Sequence, residues 1–234
     1  MLREIQEIDH QELKSMHEEF FPVRYSDSFY TDACRKIGIH KGFLHTCIIE
    51  IDNEIVGFVF AQFLPLRDNE DSCIIGSDSG AKEILYILTL GCKHEYRRHG
   101  LASILIDNVI SYGNTNKYCG AVYLHVIHYN QAAIKFYEKN NFQYFQSIEN
   151  FYTISNMPYK AYLYVYYLYD YHAPLHRTIM LRTQQTLSIG FNILYSFFEF
   201  IRPASILHIF GFVSSRLTTN DNNTDKNDKL VQNV

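Results

Sequence analysis

The chain has 234 residues, of which 47% are hydrophobic and 20% are charged, so it can bury a sizeable core and is not disordered throughout. Its formal net charge of -4 argues against nucleic acid as a partner, because a nucleic-acid binder presents a positive field. Its five cysteines include no Cys-x-x-Cys pair. We therefore expect no metal site and no disulfide framework, and we expect a reduced, cytosol-facing protein.

Apolar periodicity predicts strands and helices over the first 170 residues, which are expected to form one domain of mixed α and β structure. In chain order the predicted elements are a strand at 2–8, helices at 11–20 and 26–37, strands at 43–51 and 54–64, a polar loop at 66–82, a strand at 84–92, a helix at 99–112, a strand at 121–127, a helix at 131–140, and strands at 142–152 and 159–169. Because strands and helices alternate after residue 84, we expect at least one parallel pair of strands.

Polar residues mark two of these boundaries. Ser26 or Asp27 is placed to cap the second helix, since short polar side chains accept hydrogen bonds from the first free N–H groups of a helix. The dipeptide Asp52-Asn53 separates two apolar runs and predicts a hairpin turn.

The clearest chemistry lies where the strand at 84–92 passes into a helix. Arg97 and Arg98 stand just before Gly100 and Ala102, which open that helix. Free N–H groups at a helix start bind anions, and small residues let a phosphate approach the backbone. The segment therefore predicts a pyrophosphate cradle, although a solvated basic turn would have the same composition.

Two motifs in this part of the chain resemble the GNAT acetyltransferase superfamily. Arg97-x-x-Gly100-x-Ala102 matches the superfamily's acetyl-CoA pyrophosphate motif, and residues 130–142 are similar to its Asn-x-x-Ala-x-x-Phe-Tyr-x-x-x-Gly-Phe segment, with Asn141 in place of Gly. The left-handed conformation that Gly provides there is also open to Asn. The resemblance implies an α/β GNAT fold, a mixed and mostly antiparallel sheet of about seven strands flanked by four helices, and acetyl-CoA as co-substrate without a metal.

A narrower resemblance concerns the substrate. Residues 20–30 resemble the first substrate loop of N-terminal acetyltransferases, and the strand that carries His125 resembles their catalytic strand. Within that group the chain is similar to the Golgi-associated NatF type, which implies acetylation of N-terminal amines, Met-starting ones on membrane proteins with cytosolic N-termini. Arg24 and His128 depart from the NatF pattern, so the preferred peptide stays open.

The resemblance implies Tyr86 and His125 as the catalytic residues. An α-amino group has a pKa of about 7.7–8.0, so a general base must remove its proton as the nitrogen attacks. Imidazole suits that task, and Tyr86 is expected to order a proton-relay water. The plainer alternatives are a core histidine whose hydrogen bonds are satisfied and a half-buried tyrosine whose hydroxyl is bonded elsewhere.

Further roles follow from the same resemblance. The residues implied for acetyl-CoA are Leu88, Leu90, Gly91, Cys92, Arg97, Arg98, His99, Gly100, Leu101, Ala102, Ser103, Asn130, Tyr137 and Asn140. Those implied for the peptide are Phe21, Pro22, Tyr25, Leu88, His128 and Tyr152. Backbone N–H groups of the open strand at Leu88, Leu90 and Cys92 are expected to stabilise the developing oxyanion. Tyr137 is expected at the leaving thiolate, and Asn130 at the pantetheine arm or as a helix cap.

The C-terminal part has a different character. Segment 171–217 carries four arginines against one glutamate, and its apolar residues form a wide helical face over 178–201 and a shorter run after Pro203. Neither run reaches the roughly 20 residues that span a bilayer. We expect amphipathic helices within 178–216 that lie on a membrane surface, the cytosolic face of the Golgi, or, as the alternative, dock on the domain. The tail 218–234 is polar and expected to be disordered.

Two other functions stay open at this stage. A lysine acetyltransferase acting on histones would share the acetyl-CoA motifs, but the substrate loop suits a narrow N-terminal pocket. A non-catalytic acetyl-CoA-binding membrane scaffold would not need both Tyr86 and His125. We expect a monomer or a weak homodimer.

Overall fold

The structure is a computed structural model that describes residues 1–67, 69–76, 79–169 and 171–174. The predicted amphipathic helices within 178–216 and the polar tail at 218–234 lie outside the described residues. Within the described ranges, no helix combines the length and the apolar character needed to cross a membrane.

Seven strands and four α-helices form the described part of the chain, as the sequence predicts. The strands are β1 (Leu2–Arg3), β2 (His45–Ile51), β3 (Glu54–Pro65), β4 (Glu83–Cys92), β5 (Cys119–Ile127), β6 (Gln143–Ile154) and β7 (Met157–Tyr167), and the helices are α1 (His10–Phe20), α2 (Asp27–Cys34), α3 (Leu101–Gly113) and α4 (Gln131–Lys139). Ser26 caps α2 by accepting a hydrogen bond from the Phe29 N–H, and Asp52 and Asn53 form the hairpin turn with positive φ at both residues.

The strands form one sheet in the order β1-β2-β3-β4-β5-β7-β6, and only the β4–β5 pair is parallel. Side chains alternate between two buried layers, as the pleat requires. Phe58 and Phe60 of β3 face one layer with Leu13 of α1. Val59 faces the other layer with Leu105 of α3. Helices α1 and α2 therefore cover one face of the sheet, and α3 and α4 cover the other.

The sheet opens between its two parallel strands. Pairing of β4 with β5 ends at Tyr86 and Tyr123, although β4 continues to Cys92 and β5 to Ile127. A bulge in β4 also leaves Leu88 without a partner on β3, and bulges bend a strand and re-aim its side chains. Leu88, Leu90 and Cys92 therefore lie in the part of β4 that has no partner on β5.

Two regions differ from the sequence-based expectation. The predicted strand at 2–8 is wrong beyond Arg3, because the chain turns into a 3-10 helix at Glu7–Asp9. Asp9 drives this turn by accepting hydrogen bonds from the Gln6 N–H and from Arg3. The predicted loop at 66–82 contains a 3-10 helix at Ser72–Ile74, and the Ile74 side chain is fully buried.

Candidate active site

A cavity of about 680 Å³ lies where β4 and β5 separate. Its walls come from those two strands, from the loop after β4, from the first turn of α3, from α4 and from residues 20–23. A volume of this size is typical of small-molecule sites. The cavity thus joins the predicted acetyl-CoA segment to the predicted substrate loop.

The wall at the start of α3 is built to hold an anion. Gly100 has a φ of +85° and Arg98 a φ of +68°, and such turns aim successive N–H groups into one concavity. A Cβ on Gly100 would meet no atom within 4 Å, so the backbone conformation, rather than space, favours glycine there. The Arg97 Nε donates to the Cys92 carbonyl at 3.1 Å and holds the turn against β4. These features fit the pyrophosphate of acetyl-CoA.

His125 lies in the opposite wall with its side chain 4% exposed. Its Nδ1 lies 3.3 Å from the Tyr86 hydroxyl, its ring stacks on Phe151 at 4.1 Å, and its Nε2 lies 3.6 Å from an Asp71 carboxylate oxygen. The last distance is too long for a hydrogen bond but short enough for the carboxylate to stabilise a proton on the ring. Three elements therefore converge on one imidazole.

Asp71 itself is positioned by its neighbours. Its N–H donates to the Asn69 side chain at 2.8 Å, and the Tyr123 hydroxyl bonds with the Asn69 and Asp71 side chains. Asp71 was not predictable from the sequence, because it lies in a polar loop whose composition gives no sign of a contact with β5.

Tyr86 is buried next to His125, and burial raises the pKa of its hydroxyl well above the ordinary value. The hydroxyl therefore keeps its proton at neutral pH and acts as a hydrogen-bonding group rather than as a base. Burial likewise raises the pKa of Cys92 to about 11. A thiol in that state is a poor nucleophile, so Cys92 is not suited to covalent catalysis.

Residues 10–142 match the model of the acetyltransferase (GNAT) family. The chain belongs to this family. It is 34% identical over 170 residues to the histone acetyltransferase MCC1 of Arabidopsis thaliana, which covers 71% of this chain and 69% of that protein. It is 31% identical over 167 residues to N-alpha-acetyltransferase 60 of Xenopus tropicalis, which covers 69% of this chain and 67% of that protein.

Solved structures of GNAT enzymes share the fold. Arabidopsis thaliana NAA60 in complex with acetyl-CoA superposes with a TM-score of 0.65 at 32% identity, covering 72% of this chain and 98% of that one. The complex of the same plant protein with a bisubstrate analogue gives a TM-score of 0.64 at 31% identity, covering 71% and 97%. The similarity confirms the GNAT fold and acetyl-CoA as the co-substrate.

Most of the predicted site residues line this GNAT cavity. They are Phe21, Pro22, Leu88, Leu90, Gly91, Cys92, Arg97, Arg98, Gly100, Leu101, Ala102, Ser103, His125, Asn130, Tyr137 and Tyr152. Gly91 is required for close packing, since a Cβ there would lie 2.7 Å from the Phe20 ring. Asn130 also caps α4 by accepting from the Ala133 N–H at 3.2 Å, as predicted.

Five predicted residues lie outside the cavity lining. They are Tyr25, Tyr86, His99, His128 and Asn140. His99 is exposed, His128 Nδ1 lies 3.2 Å from the Lys160 carbonyl, and the Asn140 side chain donates to the Phe136 carbonyl at the end of α4. The local hydrogen bonds of His128 and Asn140 account for their positions.

Two cations in the lining were not predicted. Lys135 and Lys139 lie one turn apart on α4 and both reach the cavity. The motif at 130–142 pointed to Asn130, Tyr137 and Asn140, and lysines on a helix surface carry no signal of their own in a single sequence. Together with Arg97 and Arg98, they give the acetyl-CoA side of the cavity a positive charge.

Of the two tyrosines predicted to contact the peptide, Tyr152 lines the cavity and Tyr25 does not. The Tyr152 hydroxyl donates to the His125 carbonyl at 3.1 Å, which ties β6 to β5. The Tyr25 ring stacks on Phe29 at 4.4 Å, and its buried hydroxyl has no hydrogen-bond partner. Burial raises the pKa of Tyr152, so its hydroxyl keeps its proton at neutral pH.

Proposed function

We propose that the chain is an N-alpha-acetyltransferase that transfers an acetyl group from acetyl-CoA to the N-terminal amine of proteins. The proposed reaction is direct attack by the amine with help from a general base. The relatives named N-alpha-acetyltransferase 60 and the fit of the cavity to acetyl-CoA support this function. Met-starting membrane proteins with cytosolic N-termini are the proposed substrates.

A buried nitrogen without a hydrogen-bond partner, His125 Nε2, carries the proposal. Among the described residues, the Tyr25 hydroxyl and His125 Nε2 are the buried side-chain polar atoms that lack a hydrogen-bond partner. Leaving a buried polar atom unpaired costs about 1–3 kcal/mol, so a folded protein keeps such atoms where a ligand pairs with them. The N-terminus of a peptide offers an amine to His125, which lines the cavity.

His125 is the proposed general base, directly or through a water. Its Nε2 takes the proton that leaves the attacking amine, and the Asp71 carboxylate 3.6 Å away stabilises the resulting imidazolium. Tyr86 holds the ring through Nδ1. Tyr86 and Asp71 thus fix the orientation of the His125 ring and select Nε2 as the atom that receives the proton.

The other wall serves the acyl group. Acetyl-CoA supplies an activated thioester. The free edge of β4 around Leu88 and Leu90 offers backbone groups to the oxygen on which charge develops. Burial raises the pKa of Tyr137, so its hydroxyl holds a proton that it can donate to the sulfur as the thiolate leaves.

Lysine acetylation is a second candidate function, favoured by the likeness to the histone acetyltransferase MCC1. The two functions use the same acetyl-CoA wall and differ at the peptide wall. A third candidate function is that of an acetyl-CoA-binding scaffold that has lost catalysis. The peptide assay described below tests all three candidates.

We further propose that the protein is a peripheral protein of the cytosolic face of the Golgi membrane, held there through 178–216, and that it is a monomer or a weak homodimer. The arginines and the apolar faces of that segment support the first part. An interfacial helix combines such a face with basic residues.

A peptide panel tests the proposed activity. The full chain is assayed with acetyl-CoA on peptides that carry a free Met N-terminus and no lysine, and on matched peptides with a blocked N-terminus and one internal lysine. Turnover of the first set alone supports N-terminal acetylation. Turnover of the second set alone would show that the protein is a lysine acetyltransferase instead. If neither set is acetylated, the remaining function is that of a non-catalytic acetyl-CoA-binding scaffold.

A further inference from the structure

His17 is a buried titratable residue that takes no part in the reaction proposed above. It lies on the inner face of α1 with a relative exposure of 0%. Six aromatic rings surround its imidazole at centroid distances of 4.4 to 5.8 Å. They belong to Phe21, Tyr25, Phe29, Tyr30, Phe58 and Phe60. A leucine or a phenylalanine would fill such a site if packing were the sole requirement.

The two ring nitrogens of His17 have different partners. Nδ1 lies 2.9 Å from the Leu13 carbonyl, which can only accept, so Nδ1 carries the hydrogen. Nε2 is then an acceptor, and the Thr89 hydroxyl 3.4 Å away donates to it. Burial lowers the pKa of His17 to about 4, so this neutral tautomer persists at physiological pH.

These contacts join the two halves of the site. Thr89 follows the bulged Leu88 in the open part of β4 and lines the cavity. Phe21 and Tyr25 belong to the loop that bears the peptide wall. One imidazole therefore touches the peptide loop with its ring and the acetyl-CoA strand with its nitrogen.

We propose that His17 is a positioning residue that sets the peptide-binding loop, residues 21–25, at a fixed distance from the acetyl-CoA strand. This inference rests on the proposed function. The hydrogen bond from Thr89 fixes where the ring sits, and the ring fixes Phe21 and Tyr25. Loss of the bond displaces the peptide wall and leaves the pyrophosphate cradle at residues 97–103 unchanged, because His17 does not contact that cradle.

The test uses three variants of the full chain: His17→Leu, Thr89→Val and the double variant. Peptide KM and kcat are measured at saturating acetyl-CoA, and acetyl-CoA Kd is measured by titration. Each single change is expected to raise the peptide KM about fivefold, the size of one neutral hydrogen bond. The double variant is expected to cost no more than the larger single change, because both changes remove the same bond.

Two further variants separate positioning from packing. His17→Gln keeps an acceptor and is expected to recover part of the peptide affinity. His45→Leu is the matched control, since His45 also stacks on an aromatic ring, Tyr112, and lies 2.8 Å from the Asn108 side chain, but does not line the cavity. It should leave the peptide KM unchanged. Nitrogen NMR of His17 should show the hydrogen on Nδ1.

Several outcomes would overturn the inference. They are additive effects in the double variant, an acetyl-CoA Kd that changes together with the peptide KM, an equal KM effect from His45→Leu, or the hydrogen on Nε2. Failure of the unchanged chain to acetylate any N-terminal peptide would instead overturn the proposed function and the inference with it. The two failures are therefore distinguishable by the activity of the unchanged chain.

Discussion

The proposed acetyl transfer depends on how the individual atoms of His125 are held. Nδ1 is held by Tyr86 and the ring face is held by Phe151, so the base is placed before substrate arrives. Pre-organisation of this kind matters because a misplaced base forfeits most of its contribution. Asp71 adds a counter-charge at the one nitrogen that is free to take a proton.

Removing either member of the His125–Tyr86 pair should slow catalysis without affecting acetyl-CoA binding. His125→Ala and Tyr86→Phe are each expected to reduce kcat by about 10²-fold or more, the contribution of a positioned general base. Acetyl-CoA Kd should barely change. Tyr144→Phe is the control, because Tyr144 lies on β6 with 44% exposure and outside the cavity lining. A variant of the pair with normal kcat would remove that residue from the proton relay.

The glycine that opens α3 gives a second test at the residue scale. Gly100→Asp puts a strained side chain and a negative charge at the proposed pyrophosphate cradle. Gly80→Asp is a matched control, because Gly80 also has a positive φ of 77° and open space around a Cβ, but it does not line the cavity. Acetyl-CoA affinity measured by titration should collapse in the first variant and persist in the second. Equal affinities would show that the cradle is misassigned.

The sequence predicts an element correctly where the residues that determine the element are close together in the chain. The strand-to-helix passage from β4 to α3 was located from sequence because its small residues, positive charge and anion chemistry are contiguous. The hairpin at Asp52-Asn53 is a turn of the same local kind. Its two positive φ values suit Asx residues, which tolerate that conformation.

The sequence does not predict local structure where contacts with residues far away in the chain determine it. Residues 2–8 alternate like a strand, but Arg3 pairs with Glu50 and Asp9, and these contacts favour a 3-10 turn over the alternation. Asp71 reaches His125 across 54 positions of sequence, and a polar loop does not indicate its partner. The sequence therefore pointed to many of the residues that line the cavity, including His125, whereas the position of Asp71 beside His125 required the fold.

His17 on helix α1 should make the free energy of unfolding depend on pH. Burial lowers the pKa of His17 in the folded chain to about 4, whereas an unfolded histidine has a pKa of about 6.5. Below about pH 6.5, His17 binds a proton in the unfolded chain but stays neutral in the folded chain. The free energy of unfolding therefore falls as the pH drops toward 4, and the contribution of His17 is fully present above 6.5. Between about pH 7 and pH 5 the expected loss is about 2 kcal/mol.

The loss is measured as the difference between the unchanged chain and His17→Leu in urea unfolding at the two pH values. The other titrating groups are present in both proteins and cancel in this difference. His17→Leu should lack this part of the pH dependence. Identical pH dependence of the two proteins would show that His17 titrates normally in the folded chain.

At the scale of the whole molecule, the chain combines a GNAT domain with a segment of different composition. The domain supplies the activity, and the segment at 178–216 is proposed to supply the location. Phe and Leu side chains contribute on the order of 1.5–3 kcal/mol each when fully buried, and basic residues near an anionic surface contribute about 1 kcal/mol each. A handful of such groups suffices for peripheral attachment.

The location is tested by placing charge on the apolar face of this segment. Phe197→Asp with Phe198→Asp is expected to release the full chain from membranes into the soluble fraction and to leave peptide acetylation intact. The control is Gln185→Asp with Ser196→Asp, which adds the same charge among the polar residues of the pattern. It should weaken binding much less, because no apolar area is withdrawn from the membrane.

A segment that docks on the domain instead of a membrane predicts a different pattern. The two Phe substitutions would then expose apolar surface, lower the melting temperature and reduce acetylation, with no change in a distribution that was soluble from the start. Membrane fractionation and a thermal melt of the same two variants therefore separate the hypotheses. Because the two Asp pairs carry equal charge, any difference between them reports the buried apolar area rather than electrostatic repulsion from anionic lipid. An unchanged chain that fractionates as soluble would contradict the proposed membrane location, whatever its enzymatic activity.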